Sequence, residues 1–219
     1  MRKRAVVNGF RGKPDIRGII FDFGGVIHSF DTAIFFGRLR DRTDRTLEEM
    51  AVLVAGSGLP RSYESGEITS GEFFRGVAGL CGLSITEEEF LSAFVDMFTP
   101  IEPTIRLIRG LSRSYRLGLL SNTNEWHFEH HIRAVDVYPL FDAVTLSYQV
   151  KAMKPAERIY RDSLRKIGLP PGECVFIDDL KENVAGAQRL GIRAIHYTGH
   201  ERLVSSLAEL GVRVGAGTE

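Results

Sequence analysis

Asp22, Ser121, Asn122, Lys154, Asp178 and Asp179 have the side-chain types and the spacing to do chemistry as a group. Oxygen donors at two acidic positions suit Mg²⁺, which takes few protein carboxylates and keeps waters and substrate oxygens. A lysine and a hydroxyl beside them suit the oxygens of a phosphoryl group, whose remaining charge the cation would neutralise. Such groups make a poor core and a good site for a metal ion and a phosphate.

What must position them is a set of strand ends. Residues 19–21 are apolar and run straight into Asp22, residues 117–120 end at Ser121-Asn122, and residues 174–177 end at Asp178-Asp179. A third apolar run at 143–146 precedes Lys154. Runs apolar on both faces read as buried strands of a parallel sheet, whose C-terminal tips share one edge. Gly24 and Gly25 allow a sharp turn after Asp22 and close approach of backbone amides to an anion.

Between the strands the pattern is helical. Helices are predicted over 104–112 and 124–135, from Pro155 at a first turn to Gly168, up to Leu190, and over 201–210, with a last strand at 192–197. Strands alternating with helices predict an α/β fold with a doubly wound parallel sheet. Residues 31–100 differ: apolar residues recur at helical spacing (Leu47, Met50, Val54; Phe90, Ala93, Phe94, Met97) and no buried strand is visible. Thr86 and Glu89 form a capping-box pattern. This segment reads as a small inserted helical domain on a core of 15–30 and 101–219, with Pro100 and Pro103 marking the return. The turn at 63–69 reads as solvated.

Composition narrows the partners. The 219 residues hold 28 Lys+Arg and 28 Asp+Glu, so zero net charge recommends neither nucleic acid nor an anionic membrane. The basic stretch 1–14 reads as a loose extension, because the neutral remainder offers no second basic surface. No apolar run is long enough to span a membrane or to serve as a signal peptide. Cys81 and Cys174 suggest no disulfide framework, so a reducing cytoplasmic setting is expected, with both as small buried hydrophobes. His127, His130 and His131 have the spacing to share a helical face and hold zinc. With no further ligand evident, a solvated surface packed by Trp126 and Phe128 is the expectation.

The motifs Asp22-Phe23-Gly24-Gly25-Val26, Leu119-Leu120-Ser121-Asn122, Lys154-Pro155 and Val175-Phe176-Ile177-Asp178-Asp179 resemble the four ordered motifs of the haloacid dehalogenase superfamily. The likeness covers nearly everything after residue 16, and the insertion sits where that superfamily places its helical cap. Residues 121–124, 154–160 and 178–183, with the turn at 64–69, are similar to the α-D-glucose-1-phosphatase-like group. The resemblance implies a Rossmann-like core and a Mg²⁺-dependent phosphatase of small phosphorylated metabolites, sugar phosphates among them. It implies Asp22 as a nucleophile forming an aspartyl-phosphate, with Ser121 and Lys154 assisting. Gly25, Ser121, Asn122 and Lys154 would bind substrate. Asp22, the Gly24 carbonyl, Asp179 and Asp178 would hold the metal, Asp179 more directly because Asn183 matches a supporting position. Mg²⁺ and Lys154 would both keep Asp22 ionised.

One position departs from the pattern. Gly24 stands where most phosphatases of the superfamily carry a second aspartate as general acid and base. His28, Glu64, Glu67 or water are the candidates to replace it. Two alternatives remain open at this point: a haloacid dehalogenase, in which the same aspartate attacks carbon, and a binding or regulatory protein with little turnover.

Overall fold

The computed structural model describes residues 15–214, so the basic stretch 1–14 lies outside the described residues. β1 (Gly18–Phe21) is buried along its whole length. Ile19 and Phe21 point into one apolar cluster and Ile20 into another. That is why the run has no polar alternation: both faces of the strand are covered.

After β1 come β2 (His28–Phe30) and five helices: α1 (Thr32–Leu39), α2 (Leu47–Gly56), α3 (Leu59–Glu64), α4 (Ser70–Cys81) and α5 (Glu87–Val95). β3 (Phe98–Pro100) then pairs antiparallel with β2. α6 (Glu102–Leu111), β4 (Arg116–Ser121), α7 (Glu125–His130), β5 (Ala143–Leu146) and the one-turn α8 (Ser147–Val150) follow. The chain ends through α9 (Glu157–Ile167), β6 (Cys174–Asp178), α10 (Lys181–Arg189), β7 (Arg193–His196) and α11 (His200–Glu209).

Among the described residues the main sheet has the order β5-β4-β1-β6-β7, and its pairs are parallel. The chain runs outward from β1 through β4 to β5, then returns to β6 and β7 on the other side. That reversal opens a crevice at the C-terminal end of β1. α9 and α10 cover the face holding Ile20, Leu120 and Phe176; α6 and α11 cover the face holding Ile19, Phe21 and Val175. The expected doubly wound α/β fold with a helical insertion is the fold observed.

The inserted helices have a core of their own, built on Phe35, Met50, Phe73, Val77, Phe90 and Phe94. α2, α4 and α5 each open with a Thr/Glu capping box: Thr46 with Glu49, Thr69 with Glu72, and Thr86 with Glu89. Each box satisfies two amides that a helix start leaves without partners. Trp126 of α7 reaches from the main domain into this cluster, while Phe128 packs beneath the sheet. Cys81 and Cys174 are free and buried, as expected. No described helix is long and apolar enough to cross a membrane.

Two expectations are corrected, and a third gains detail. The helix predicted over 124–135 ends at His130, because His131 leaves helical geometry (φ −130°, ψ −65°) and only a 3₁₀ turn at Ile132–Ala134 follows. The His131 ring stacks on Phe98 at 4.3 Å and bonds His28, contacts absent from any helical pattern. Pro155 does not open α9: it follows a cis peptide bond from Lys154, and Ala156 is the N-cap residue. Pro100, read as a return marker, lies in β3, so the passages to and from the insertion form a short ribbon.

Candidate active site

The register of the sheet brings the strand ends together. Phe21 lies beside Leu119 on one side and Ile177 on the other, so Asp22 emerges next to Asp178. The Asp22 amide donates to the Ile177 carbonyl at 2.9 Å, and its Oδ1 accepts from the Phe23 amide at 2.7 Å. The chain then turns back tightly, with the amides of Ile27 and His28 both donating to the Phe23 carbonyl.

Lys154 is the hub. Its buried ammonium lies 2.6 Å from Asp22 Oδ1 and 2.7 Å from Asp178 Oδ2. Asn122 fixes the lysine backbone, its Oδ1 accepting from the Lys154 amide at 2.8 Å and its Nδ2 donating to the Lys154 carbonyl at 3.2 Å. The Asn122 side chain, expected to touch substrate, is therefore committed to holding Lys154. Asp178 is fully buried and accepts from the Leu180 amide and from Asn183 Nδ2. Asn183 is held in turn by Tyr160, whose hydroxyl donates to its carbonyl at 2.8 Å.

Asp179 is turned toward the first loop. Gly25 has φ 73°, and a Cβ there would lie 2.2 Å from Asp179 Oδ2. Both the left-handed backbone and the absent side chain are needed at that position. Gly24 is not left-handed; a Cβ on it would meet the Phe30 ring at 3.2 Å.

Carboxylate oxygens of Asp22, Asp178 and Asp179 lie within 4.8 Å of one another, and this is the only such group of metal-type donors among the described residues. Three carboxylates face one ammonium. Burial pushes the Asp22 carboxyl up to about 7, against the pull of Lys154 and with help from Asp178. Burial pulls Lys154 down, but Asp22 and Asp178 outweigh it and hold the ammonium above its ordinary range. Asp179 is raised by burial and by Asp178. Lys154 does pull Asp22 toward its ionised form, as expected, but burial outweighs that pull and the net shift is upward. A hard divalent cation fits this all-oxygen, negatively overcharged donor set.

The other candidates separate. His28 is buried and stacked on Phe23, with Nδ1 3.1 Å from His131 Nε2. Burial lowers it to about 4, and it lines a different cavity from Gly24. Glu67 is exposed and accepts from Ser62 at 3.0 Å. Glu64 lines one cavity with Gly24, Ser121 and Asn122, and burial, opposed by Lys154, pushes it up to about 7. The turn at 63–69 is therefore not solvated throughout. Ser147 Oγ donates to the Glu64 carbonyl at 2.6 Å, and Gly66 (φ 71°) presses on the Tyr148 carbonyl. Ser147 itself had no sequence signal as a tie between the two parts of the chain.

The three histidines share no face. His127 is buried, stacked on Phe94 at 4.1 Å and bonded to Asn124 and the Phe94 carbonyl. His131 turns to His28, and only His130 is solvated.

A family model for haloacid dehalogenase-like hydrolases matches residues 16–191. D-ribitol-5-phosphate phosphatase of Bacteroides thetaiotaomicron is 30% identical over 80% of this chain and 89% of its own. Sesquiterpene phosphatase of Aspergillus oryzae is 25% identical over 83% of this chain and 90% of its own. A HAD family enzyme of B. thetaiotaomicron, solved with magnesium and inorganic phosphate, superposes with a TM-score of 0.73 at 27% identity, covering 82% of this chain and 93% of that one. With the matched family model spanning the whole strand-end site, the chain belongs to the haloacid dehalogenase-like hydrolases.

Proposed function

We propose that this chain hydrolyses small phosphate monoesters through a phosphoryl group carried on Asp22. It is a phosphatase of its family, and the observation that carries the mechanism is the Lys154 ammonium lodged between Asp22 and Asp178. Both donors to Asp22 sit on Oδ1, which leaves Oδ2 with free lone pairs for attack on phosphorus. As the Oδ2–P bond forms, the ester P–O bond breaks and the organic alkoxide departs. Glu64, on the same cavity wall as Gly24, gives the alkoxide its proton. Glu64 then takes a proton from water, which attacks phosphorus and releases inorganic phosphate, returning the Asp22 carboxylate. Ser121 and Lys154 hold phosphoryl oxygens. Asp22 and Asp179, with Asp178 in support and the Gly24 carbonyl beside them, would hold Mg²⁺, which would supply charge neutralisation there.

The likeness to the α-D-glucose-1-phosphatase-like group makes sugar phosphates the first esters to test. Release of phosphate from acetyl phosphate and a panel of sugar phosphates, with and without EDTA, tests the reading. Metal-dependent release is expected; chloride release from 2-haloacids without phosphate release would overturn it in favour of dehalogenation.

Two substitutions probe the metal side. Asp179→Ala is expected to raise the magnesium concentration needed for half activity while leaving thermal stability nearly unchanged. Asp178→Ala leaves Lys154 and Asn183 short of a partner, so its first effect is lost stability in calorimetry. The reverse pattern would reassign the ligand. Gly25→Ala forces a side chain into left-handed backbone and into the Asp179 carboxylate. A displacement of that size near the chemistry costs roughly 10²-fold in kcat/KM, and near-wild-type turnover would contradict the placement of Asp179.

A further inference from the structure

We infer that the organic group of the substrate is a compact apolar one, about a single aromatic ring in size, seated under the inserted helices. The inference rests on the phosphatase reading and narrows it. Beyond Gly24, Ser121, Asn122 and Glu64, a cavity of about 190 Å³ extends between the insertion and the sheet edge. Its far wall is apolar: Phe35, Phe36, Val54, Phe94 and Met97, with Phe30 at the rim beside Gly24.

Three of the polar residues lining the cavity, Tyr63, His127 and Asn124, are already engaged. The Tyr63 hydroxyl is bonded to Ser70 and to the Trp126 amide. Both ring nitrogens of His127 are bonded, one to Asn124 and one to the Phe94 carbonyl. The Asn124 amide is likewise held by His127, through its backbone amide and its ring. A polyol entering here would surrender its hydrogen bonds to water and find few in return, a cost paid for every buried hydroxyl. An apolar ring loses no such bonds and gains by leaving water.

Size agrees with this occupant. A dry apolar cavity of about 150 Å³ accepts benzene, so this one holds a single ring with small substituents. Phe30, 55% exposed, adds an apolar ring at the open rim of the same cavity.

The test pairs two phosphonates, which mimic the ester without being cleaved, in calorimetric titrations with magnesium present. Benzylphosphonate is expected to bind at least about tenfold tighter than 2,3-dihydroxypropylphosphonate. Val54→Phe, which fills the cavity, should erase most of that preference. Should that variant fail to fold, Phe30→Ser at the exposed rim should reduce it. Equal binding of the two ligands, tighter binding of the polyol mimic, or a preference that survives these substitutions would overturn the inference. In parallel, benzyl phosphate should be hydrolysed with higher kcat/KM than ribitol 5-phosphate, a primary alkyl ester like itself. Phosphate release from acetyl phosphate reports phosphoryl transfer to Asp22 separately, since that acyl phosphate places only an acetyl group in the cavity. Acetyl phosphate turnover with polyol preference defeats the apolar inference alone; no turnover with intact benzylphosphonate preference defeats the phosphatase reading alone.

Discussion

Asp22→Asn is expected to lower kcat for any hydrolysed phosphate ester by on the order of 10⁴-fold or more, as removal of a covalent nucleophile does. The amide matches the carboxylate in shape, so the tight turn at residues 23–28 persists. Stability should move the other way from activity. Burial raises Asp22 to about 7 in the folded chain, above the unfolded carboxylate value of about 4. A raised carboxyl binds its proton more tightly when folded, so its contribution is fully favourable below about pH 4 and is lost as pH rises to about 7. Asparagine does not titrate. The metal-free variant should therefore match or exceed wild-type stability at pH 8 and lose that advantage at pH 5, as read by calorimetry in EDTA. A variant that keeps wild-type turnover defeats the covalent mechanism.

Lys154→Met should produce the largest loss of stability. It leaves Asp22, Asp178 and Asp179 close together with no ammonium among them. Removing one partner of a buried pair typically costs about 3–5 kcal/mol, which for a chain of this size lowers Tm by roughly 10 °C. The loss should shrink at acidic pH, where the carboxyls take up protons, and shrink again when magnesium is added at pH 8. Turnover should be lost under all these conditions, since the lysine also holds the phosphoryl group. A variant as stable as wild type at pH 8 in EDTA would mean that the charges are not as tightly packed as the geometry indicates.

Much of this site is legible in the chain because it sits at strand ends. Residues 19–21, 117–120, 143–146 and 174–177 are apolar without alternation, a pattern that a two-sided parallel sheet imposes and that local sequence carries. Once the strands are parallel, Asp22, Ser121 and Asp178 must share an edge. The capping box at Thr86 is equally local, and those at Thr46 and Thr69 were there to be read. What the chain conceals is tertiary. Glu64 reads as part of a polar turn; only the docking of that turn on Ser147 and Tyr148 brings its carboxyl into the site. His127 has the spacing of a surface histidine, but Phe94, distant in sequence, supplies the stacking surface and the carbonyl that bury it. Asn122 follows a strand like a substrate-binding residue, and its commitment to the Lys154 backbone depends on a chain segment 32 residues away. Helix 124–135 fails for the same reason, since the contacts of His131 with Phe98 and His28 have no local signature.

The central claim is that a phosphoryl group rests on Asp22 during turnover. Rapid mixing of the protein with acetyl phosphate and magnesium, an acid quench within the first turnover, and mass spectrometry of the peptides would locate it. One added phosphoryl group is expected on the peptide containing Asp22, absent from Asp22→Asn and lost at least as fast as steady-state turnover. Phosphate released at the wild-type rate with no phosphoryl group on Asp22, or with the group on another residue, would contradict it.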